Sequence, residues 1–334
     1  MTNISNWREL ETRLTMAKEI VVTMHMNPDG DALGSSAAMA LLLSNLGKRV
    51  RVISMSPVPD NYLFLNKLYK IEQYEAGSHN FFLAHCDLGI FLDVGDLSRA
   101  GKVGEALQKS SAPLISIDHH PGNGHKRLTM EMIDTSACST ATMIFDLIQA
   151  IFPEKLNRQI AEALYVGILT DTGSFRFSNT TARTFDVVRH LLGYGISPPE
   201  IYQAVYEQSS IARMQLLGMV LSNLRFELEK RIVWVVITQD MVKKVGGDPD
   251  DTDGFNDLLR TIQGVDVSLI FKERHDGDTR VNFRAKGKIR INETAKKLGG
   301  GGHPQASGAI LKLPIDKAIE KTLPLLIADV KAQL

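Results

Sequence analysis

The sequence predicts an α/β protein with an N-terminal doubly wound parallel sheet, a helical linker and a smaller C-terminal α/β domain with a mixed sheet. Three observations point there. Short apolar runs alternate with helical stretches through the first half. Those runs are continuously apolar, as strands covered on both faces are. After a long helical stretch, strand-like runs return in the last third. At ~100–200 residues per domain, a chain of 334 residues holds two.

The elements follow in order. EIVVTMH (19–25) reads as a strand that stops abruptly at polar residues. DALGSSAAMALLLSNLG (31–47) is rich in Ala and Leu and ends on a Gly suited to close a helix. KRVRVISM (48–55), GIFLDV (89–94) and PLISID (113–118) are further strands. From about 138 to 225 the pattern is helical, with apolar residues at helical spacing in LNRQIAEALYVGIL, TARTFDVVRHLLGYG and SSIARMQLLGMVLSNL. Strands are expected again at 231–238, 265–273, 279–285 and 307–313, with helices near 253–263, 291–299 and 315–332. The expected division is a domain at 1–190, a linker at 191–215 punctuated by GISPP, and a second domain at 216–334. GGDPDDTDG (246–254) lacks the sixth-position Gly and closing Glu of a calcium loop and reads as an acidic loop.

Composition narrows the function. Lys plus Arg and Asp plus Glu balance at 38 each, so the basic surplus that grips long nucleic acid is missing. A nucleic-acid ligand is expected to be short or held by a few local cations. The two cysteines, Cys86 and Cys138, form no CxxC pair, which argues against a zinc–thiolate site or disulfide framework. The first residues carry no signal-peptide core and no apolar run approaches the ~20 residues of a membrane span, so a cytoplasmic protein without membrane contact is expected.

Chemistry concentrates where apolar runs stop. The strand at 19–25 runs into His25-Met26-Asn27-Pro28-Asp29-Gly30-Asp31. The strand at 89–94 delivers Asp93, the strand at 113–118 runs into Asp118-His119-His120, and the helical YVGILTD delivers Asp171. A lone Asp after a strand is usually a turn or cap residue, and Asp31 could be a helix N-cap. Four recurrences are harder to explain as caps. Ligands of open α/β sheets bind at the carboxyl ends of strands, and carboxylates this close repel unless a cation sits between them. Carboxylates and imidazoles without thiolates suit Mn²⁺, with Mg²⁺, Co²⁺ or Fe²⁺ as competitors. The donors exceed the needs of one ion, and two divalent ions sharing a carboxylate suit phosphate-ester hydrolysis. No Ser–His or Cys–His pair suggests a covalent nucleophile, so the attacker is expected to be a metal-activated water.

The series HMNPDGDALGS, FLDVGD, IDHHPGN and TDTGSFRFSNT resembles the motifs of the DHH phosphoesterase family, and AKKLGGGGHPQASGA (295–309) resembles the glycine-rich signature of its DHHA1 substrate domain. The resemblance covers nearly the whole chain and is closest to the stand-alone branch of nanoRNases and pAp phosphatases. It implies that His25 and Asp29 bind one metal, that Asp31, His119 and Asp171 bind the second, and that Asp93 bridges both. It further implies that Asp118 orients a neighbouring histidine ligand, that His120 faces the scissile phosphate, and that Arg284, Gly301, Gly302 and His303 hold the far end of the nucleotide. The second domain would then close over the cleft and limit substrate length. The four glycines at 299–302 also permit a loop whose N–H groups converge on an anion. Arg99, six residues past Asp93, could reach a phosphate. The expected function is hydrolysis of short RNA or of 3′-phosphoadenosine 5′-phosphate (pAp). A linear-dinucleotide (pApA or pGpG) phosphodiesterase and a non-catalytic nucleotide-binding regulator are the alternatives. A homodimer is implied by resemblance only.

Overall fold

The structure, a computed structural model, describes residues 4–122, 124–248, 252 and 254–334. It divides into two compact units, Met1–Gln208 and Ser209–Leu334, and the division falls within 191–215. Residues 249–251 and 253 of the acidic stretch lie outside the described residues.

The first unit begins with α1 (Ile4–Met16), β1 (Glu19–Thr23), α2 (Gly30–Asn45), β2 (Arg49–Ser54), β3 (Ile71–Gln73), α3 (Ala76–His85) and β4 (Leu88–Leu92). It continues with α4 (Gly101–Lys109), β5 (Leu114–Asp118), β6 (Met130–Ile133), α5 (Thr140–Ile151), α6 (Arg158–Asp171), α7 (Ala182–Leu192) and α8 (Pro198–Tyr206). Its six strands are all parallel, in the order β3-β2-β1-β4-β5-β6. Successive side chains point to opposite faces of a sheet. Ile20 and Val22 therefore join the core formed with α1, α2, α5 and α6, while Val21 joins the one formed with α3 and α4. Both faces are covered, which is why the strands are apolar throughout.

The strands of this unit overlooked in the sequence are β3 and β6, and both sit at sheet edges. β6 alternates buried with half-buried residues and β3 buries only Ile71. Neither presents the continuous apolar run that marks a strand covered on both sides.

The strand order creates a switch point. From β1 the chain winds outward through β2 and β3, then returns to place β4 on the other side of β1. The crevice where connections part is the usual ligand site of such sheets. The segments leaving β1 and β4 carry His25 and Asp93.

α2 is buried from Gly30 to Leu43, all round rather than on one stripe. It lies against α6 at backbone distance: a Cβ on Gly34 would fall 2.4 Å from the Ala163 carbonyl oxygen, and one on Gly167 would fall 2.6 Å from Asp31 Oδ1. Two glycines thus let the helix carrying Asp31 and the helix ending in Asp171 nearly touch.

The second unit contains α9 (Ile211–Leu221), β7 (Arg225–Glu227), β8 (Ile232–Ile237), α10 (Gln239–Val245), α11 (Phe255–Arg260), β9 (Val267–Glu273) and β10 (Thr279–Ala285), then α12 (Asn292–Lys297), β11 (Gly301–His303), β12 (Ala306–Leu311) and α13 (Ile315–Lys331). The sheet order is β11-β12-β10-β9-β8-β7, with β8 and β9 parallel and the other pairs antiparallel. One face packs on α12 and α13, the other on α9, α10 and α11.

The glycine run is not one anion-cradling loop. Gly299, at φ 82°, closes α12 with its N–H donated to the Lys296 carbonyl, and Gly301–His303 form the edge strand β11. The glycines are needed for close approach: a Cβ on Gly300 would lie 2.0 Å from the Gly308 carbonyl oxygen.

The helix contact makes a stability prediction. Alanine in place of a mid-helix glycine ordinarily gains up to about 1 kcal/mol. Gly34→Ala is expected instead to cost about 1–3 kcal/mol, because its methyl meets backbone that cannot give way. Urea unfolding checks this, and an unchanged or higher midpoint would show that the α2–α6 contact has slack.

Candidate metal centre

Four chain segments converge on one point of the first unit. β1 passes into a turn in which Asn27 is left-handed (φ 53°), and Asp29 then caps α2. Its Oδ1 accepts the N–H groups of Asp31 and Ala32, both at 3.0 Å, which leaves Oδ2 free to face His25. The residue capping α2 is therefore Asp29. Asp31 is fully buried and accepts instead from the first turn of α5, Thr140 N–H at 2.7 Å and Ala141 N–H at 2.9 Å.

Asp93 sits at the centre. It follows β4 in the left-handed region, at φ 58°, a conformation costly for a non-glycine residue and typical of functional sites. Its carboxylate is buried and its two oxygens face opposite partners. Oδ2 lies 3.7 Å from His25 Nε2, and Oδ1 lies 3.5 Å from His119 Nε2. His25 Nε2 is in turn 3.9 Å from Asp29 Oδ2, and His119 Nε2 is 3.6 Å from Asp171 Oδ2. The donors His25, Asp29 and Asp93 form one group with ligating atoms within 4.8 Å of one another, and Asp31, His119 and Asp171 form another.

These residues fit divalent cations. Atoms bound to one ion at about 2.1 Å lie about 3–4 Å apart, the spacing seen here and too long for hydrogen bonds. His119 Nε2 is buried without a hydrogen-bond partner. His25 gives Nδ1 to the Met26 carbonyl at 2.8 Å, which leaves Nε2 as a lone-pair donor. The carboxylates are under strain as they stand. Burial, then the charges of Asp93, Asp171 and Asp29, pushes Asp31 well above its ordinary value. Burial also lifts Asp171 to about 6, with Asp93 and Asp29 adding to the rise against the pull of His119.

Asp118 orients a neighbouring histidine. Buried at the end of β5, it accepts from Gly95 N–H at 2.6 Å, from His120 N–H at 2.8 Å and from the His120 ring at 2.9 Å. The ring it holds is therefore that of His120, not of the neighbouring His119. Burial works against its ionisation, but these donors outweigh burial and lower its pKa. The same bond, with the Asp93 carboxylate close by, raises the half-exposed His120 ring to about 10. His120 Nδ1 also lies 3.4 Å from Asp93 Oδ1, and His120 joins Asp93 and His119 in a third group of possible ligands. Arg99 is exposed and gives Nη1 to the Val94 carbonyl at 3.1 Å, beside the loop that carries Asp93.

Two supporting residues went unassigned in the sequence. Thr140 donates its hydroxyl to Asp93 Oδ1 at 3.1 Å. Asn179 Nδ2 donates to the Asp171 and Cys138 carbonyls at 3.1 and 2.9 Å and lies 3.4 Å from Asp171 Oδ2. The run CST before an apolar stretch marks a helix start, but nothing in it names a carboxylate 47 residues upstream. A cavity of about 620 Å³ beside α6 and α8 is lined by Tyr165, Phe175 and Tyr202 among others, and by none of the convergent donors.

In the second unit, Arg284 and His303 stand in one row. Arg284 on β10 and His303 on β11 both pair with Ala306 of the intervening β12. Residues directly opposite in a sheet share a face. Arg284 Nε is 3.7 Å from Asp257 Oδ1, and His303 is exposed with Gly301 and Gly302 beside it.

Residues 19–168 match the DHH family N-terminal domain and residues 241–333 the DHHA1 domain. Over 308 residues the sequence is 35% identical to the bifunctional oligoribonuclease and PAP phosphatase NrnA of Thermus thermophilus, across 91% of this chain and 88% of that one. The chain belongs to the DHH family. A second DHH relative, the NrnA of Bacillus subtilis with the same description, is 31% identical over 304 residues, 90% of this chain and 92% of that one. The crystal structure of an exopolyphosphatase-related protein from Bacteroides fragilis superposes with a TM-score of 0.93 at 25% identity, covering 99% of this chain and 98% of that one. Among the described residues of this DHH protein, no helix is long and apolar enough to cross a membrane.

The raised Asp171 pKa makes a prediction for the metal-free protein. A carboxyl that titrates near 6 when folded and near 3.8 when unfolded adds stability below pH 3.8 that is lost as pH rises through 6. In EDTA at pH 7.5, Asp171→Asn should therefore melt a few degrees above wild type, and the advantage should vanish near pH 4. Melting curves at the two pH values decide it. An equal or lower melting temperature for the variant at pH 7.5 would mean the carboxylate carries no penalty.

Proposed function

We propose that the protein is a two-metal phosphoesterase that cleaves short oligoribonucleotides to nucleoside monophosphates and removes the 3′-phosphate of pAp. The carrying observation is the Asp93 carboxylate, held with one oxygen toward His25 and Asp29 and the other toward His119 and Asp171. In this reading His25 and Asp29 hold one cation, Asp31, His119 and Asp171 hold the second, and Asp93 serves both. The names of the Thermus and Bacillus relatives support the substrate class.

The oxygen and nitrogen donors suit Mn²⁺ first, with Mg²⁺, Co²⁺ and Fe²⁺ as competitors. When bound, the ions supply Lewis-acid activation of water and of the phosphoryl oxygens. The chain's own residues do the rest. Asp118 fixes the His120 ring by its Nδ1, and the ring offers the Nε2 proton to a phosphate oxygen as negative charge gathers there. Arg284 and His303 take up the phosphate or base that does not react, and Gly301 and Gly302 leave that approach clear of side chains. Arg99 serves as a further phosphate contact.

A panel of pAp, pApA, pGpG, RNA dimers to pentamers and pyrophosphate, each with Mn²⁺ and with EDTA, tests the assignment. Nucleoside monophosphates should appear with Mn²⁺ and not with EDTA. Hydrolysis of pyrophosphate alone, or activity indifferent to EDTA, would contradict it.

Two substitutions separate the roles. Asp93→Ala should lower kcat by more than about a hundredfold, beyond the effect of losing a supporting residue. Arg284→Ala should raise KM about tenfold, or ~1.4 kcal/mol, with kcat little changed, because it removes binding shared by ground and transition states. Near-normal turnover in the first, or a fall confined to kcat in the second, would reverse these assignments.

A further inference from the structure

One short segment touches the supports of three of the convergent carboxylates. The N–H groups of Thr140 and Ala141 bond the two oxygens of Asp31, the Thr140 hydroxyl bonds Asp93, and the Cys138 carbonyl accepts from the Asn179 amide that bonds Asp171. α5 does not need the Thr140 hydroxyl for its own start. Ser139 is its N-cap and accepts the Thr142 N–H at 3.1 Å. The hydroxyl is thus free to serve the carboxylate it faces.

We propose that Thr140 is a positioning residue that fixes the rotation of the Asp93 carboxylate. The torsion of an aspartate's terminal group is soft, and its two oxygens exchange places readily. The Thr140 hydroxyl binds Oδ1, the oxygen that faces His119, and by holding that one turns Oδ2 toward His25. A β-branched side chain suits the task because its own χ1 is restricted. Losing the hydroxyl frees the carboxylate to rotate, so the two donor groups are no longer joined in a fixed geometry. The inference rests on the two-cation reading above.

The test compares wild type, Thr140→Val, Thr140→Ala and Thr140→Ser. Mn²⁺ binding is followed by the paramagnetic resonance of free ion, melting temperature is taken in EDTA, and kcat and KM are measured on pAp. Val and Ala should each weaken Mn²⁺ binding and lower kcat by about 10–100-fold, the usual effect of losing such a support. KM and the melting temperature in EDTA should change little, and Ser, which keeps the hydroxyl, should recover most of the loss. Val and Ala variants that bind Mn²⁺ as wild type does would overturn the proposal, as would a Ser variant as impaired as Val. If both Val and Ala are unfolded in EDTA, the residue is structural and the proposal also falls. A wild type that binds fewer than two Mn²⁺ would instead remove the two-cation reading itself.

Discussion

Asp29, Asp31, Asp93 and Asp171 bring their carboxylates to one place, three of them largely out of water. Like charges so arranged repel, and burial penalises each further, which is why Asp31 and Asp171 are both raised above their ordinary values. Fixed donors answer part of this charge: the first amides of α5 at Asp31, the Thr140 hydroxyl at Asp93, and the His120 ring beside it. The Asp31 and Ala32 amides at Asp29 and the Asn179 amide at Asp171 add neutral donors, and His119 Nε2, buried without a hydrogen-bond partner, looks onto Asp93 and Asp171. Divalent cations supply the missing charge in the proposed reading.

The fold is arranged to maintain this unfavourable convergence. The switch of strand order between β1 and β4 brings His25 and Asp93 side by side at the carboxyl ends of neighbouring strands. Gly34 and Gly167 let α2 and α6 approach until Asp31 lies on the α6 backbone. Left-handed backbone at Asn27 and Asp93 turns the chain sharply where the strands end. Each device costs stability locally, and the apolar core under the sheet holds them in place. The second unit contributes a different chemistry, a row of Arg284 and His303 joined through Ala306, suited to phosphate or base rather than to metal.

Much of this was legible in the sequence because chemistry falls where apolar periodicity ends. Runs such as GIFLDV and PLISID locate central strands by hydrophobicity and their last residues by abrupt polarity, so Asp93 and Asp118 could be placed at strand ends without coordinates. Edge strands escaped notice because half-buried segments such as 130–133 carry a weaker signal. Partnerships escaped for another reason. Asp31 reads as a cap of its own helix, yet it serves the start of α5, and that pairing depends on two helices crossing at glycines. The Asp118–His120 bond was similarly hidden, since adjacent histidines offer the same ring to a carboxylate and only backbone direction selects between them. The run at 299–302 misled in a further way: glycine signals permissive backbone, and here that permission serves strand pairing as well as access.

The central claim is that Asp93 joins two cation sites. Anomalous diffraction from a crystal soaked in Mn²⁺ addresses it directly. The account predicts two peaks about 3.5–4 Å apart, one beside His25 and Asp29, the other beside Asp31, His119 and Asp171, with Asp93 touching both. A single peak, or peaks away from Asp93, would contradict it.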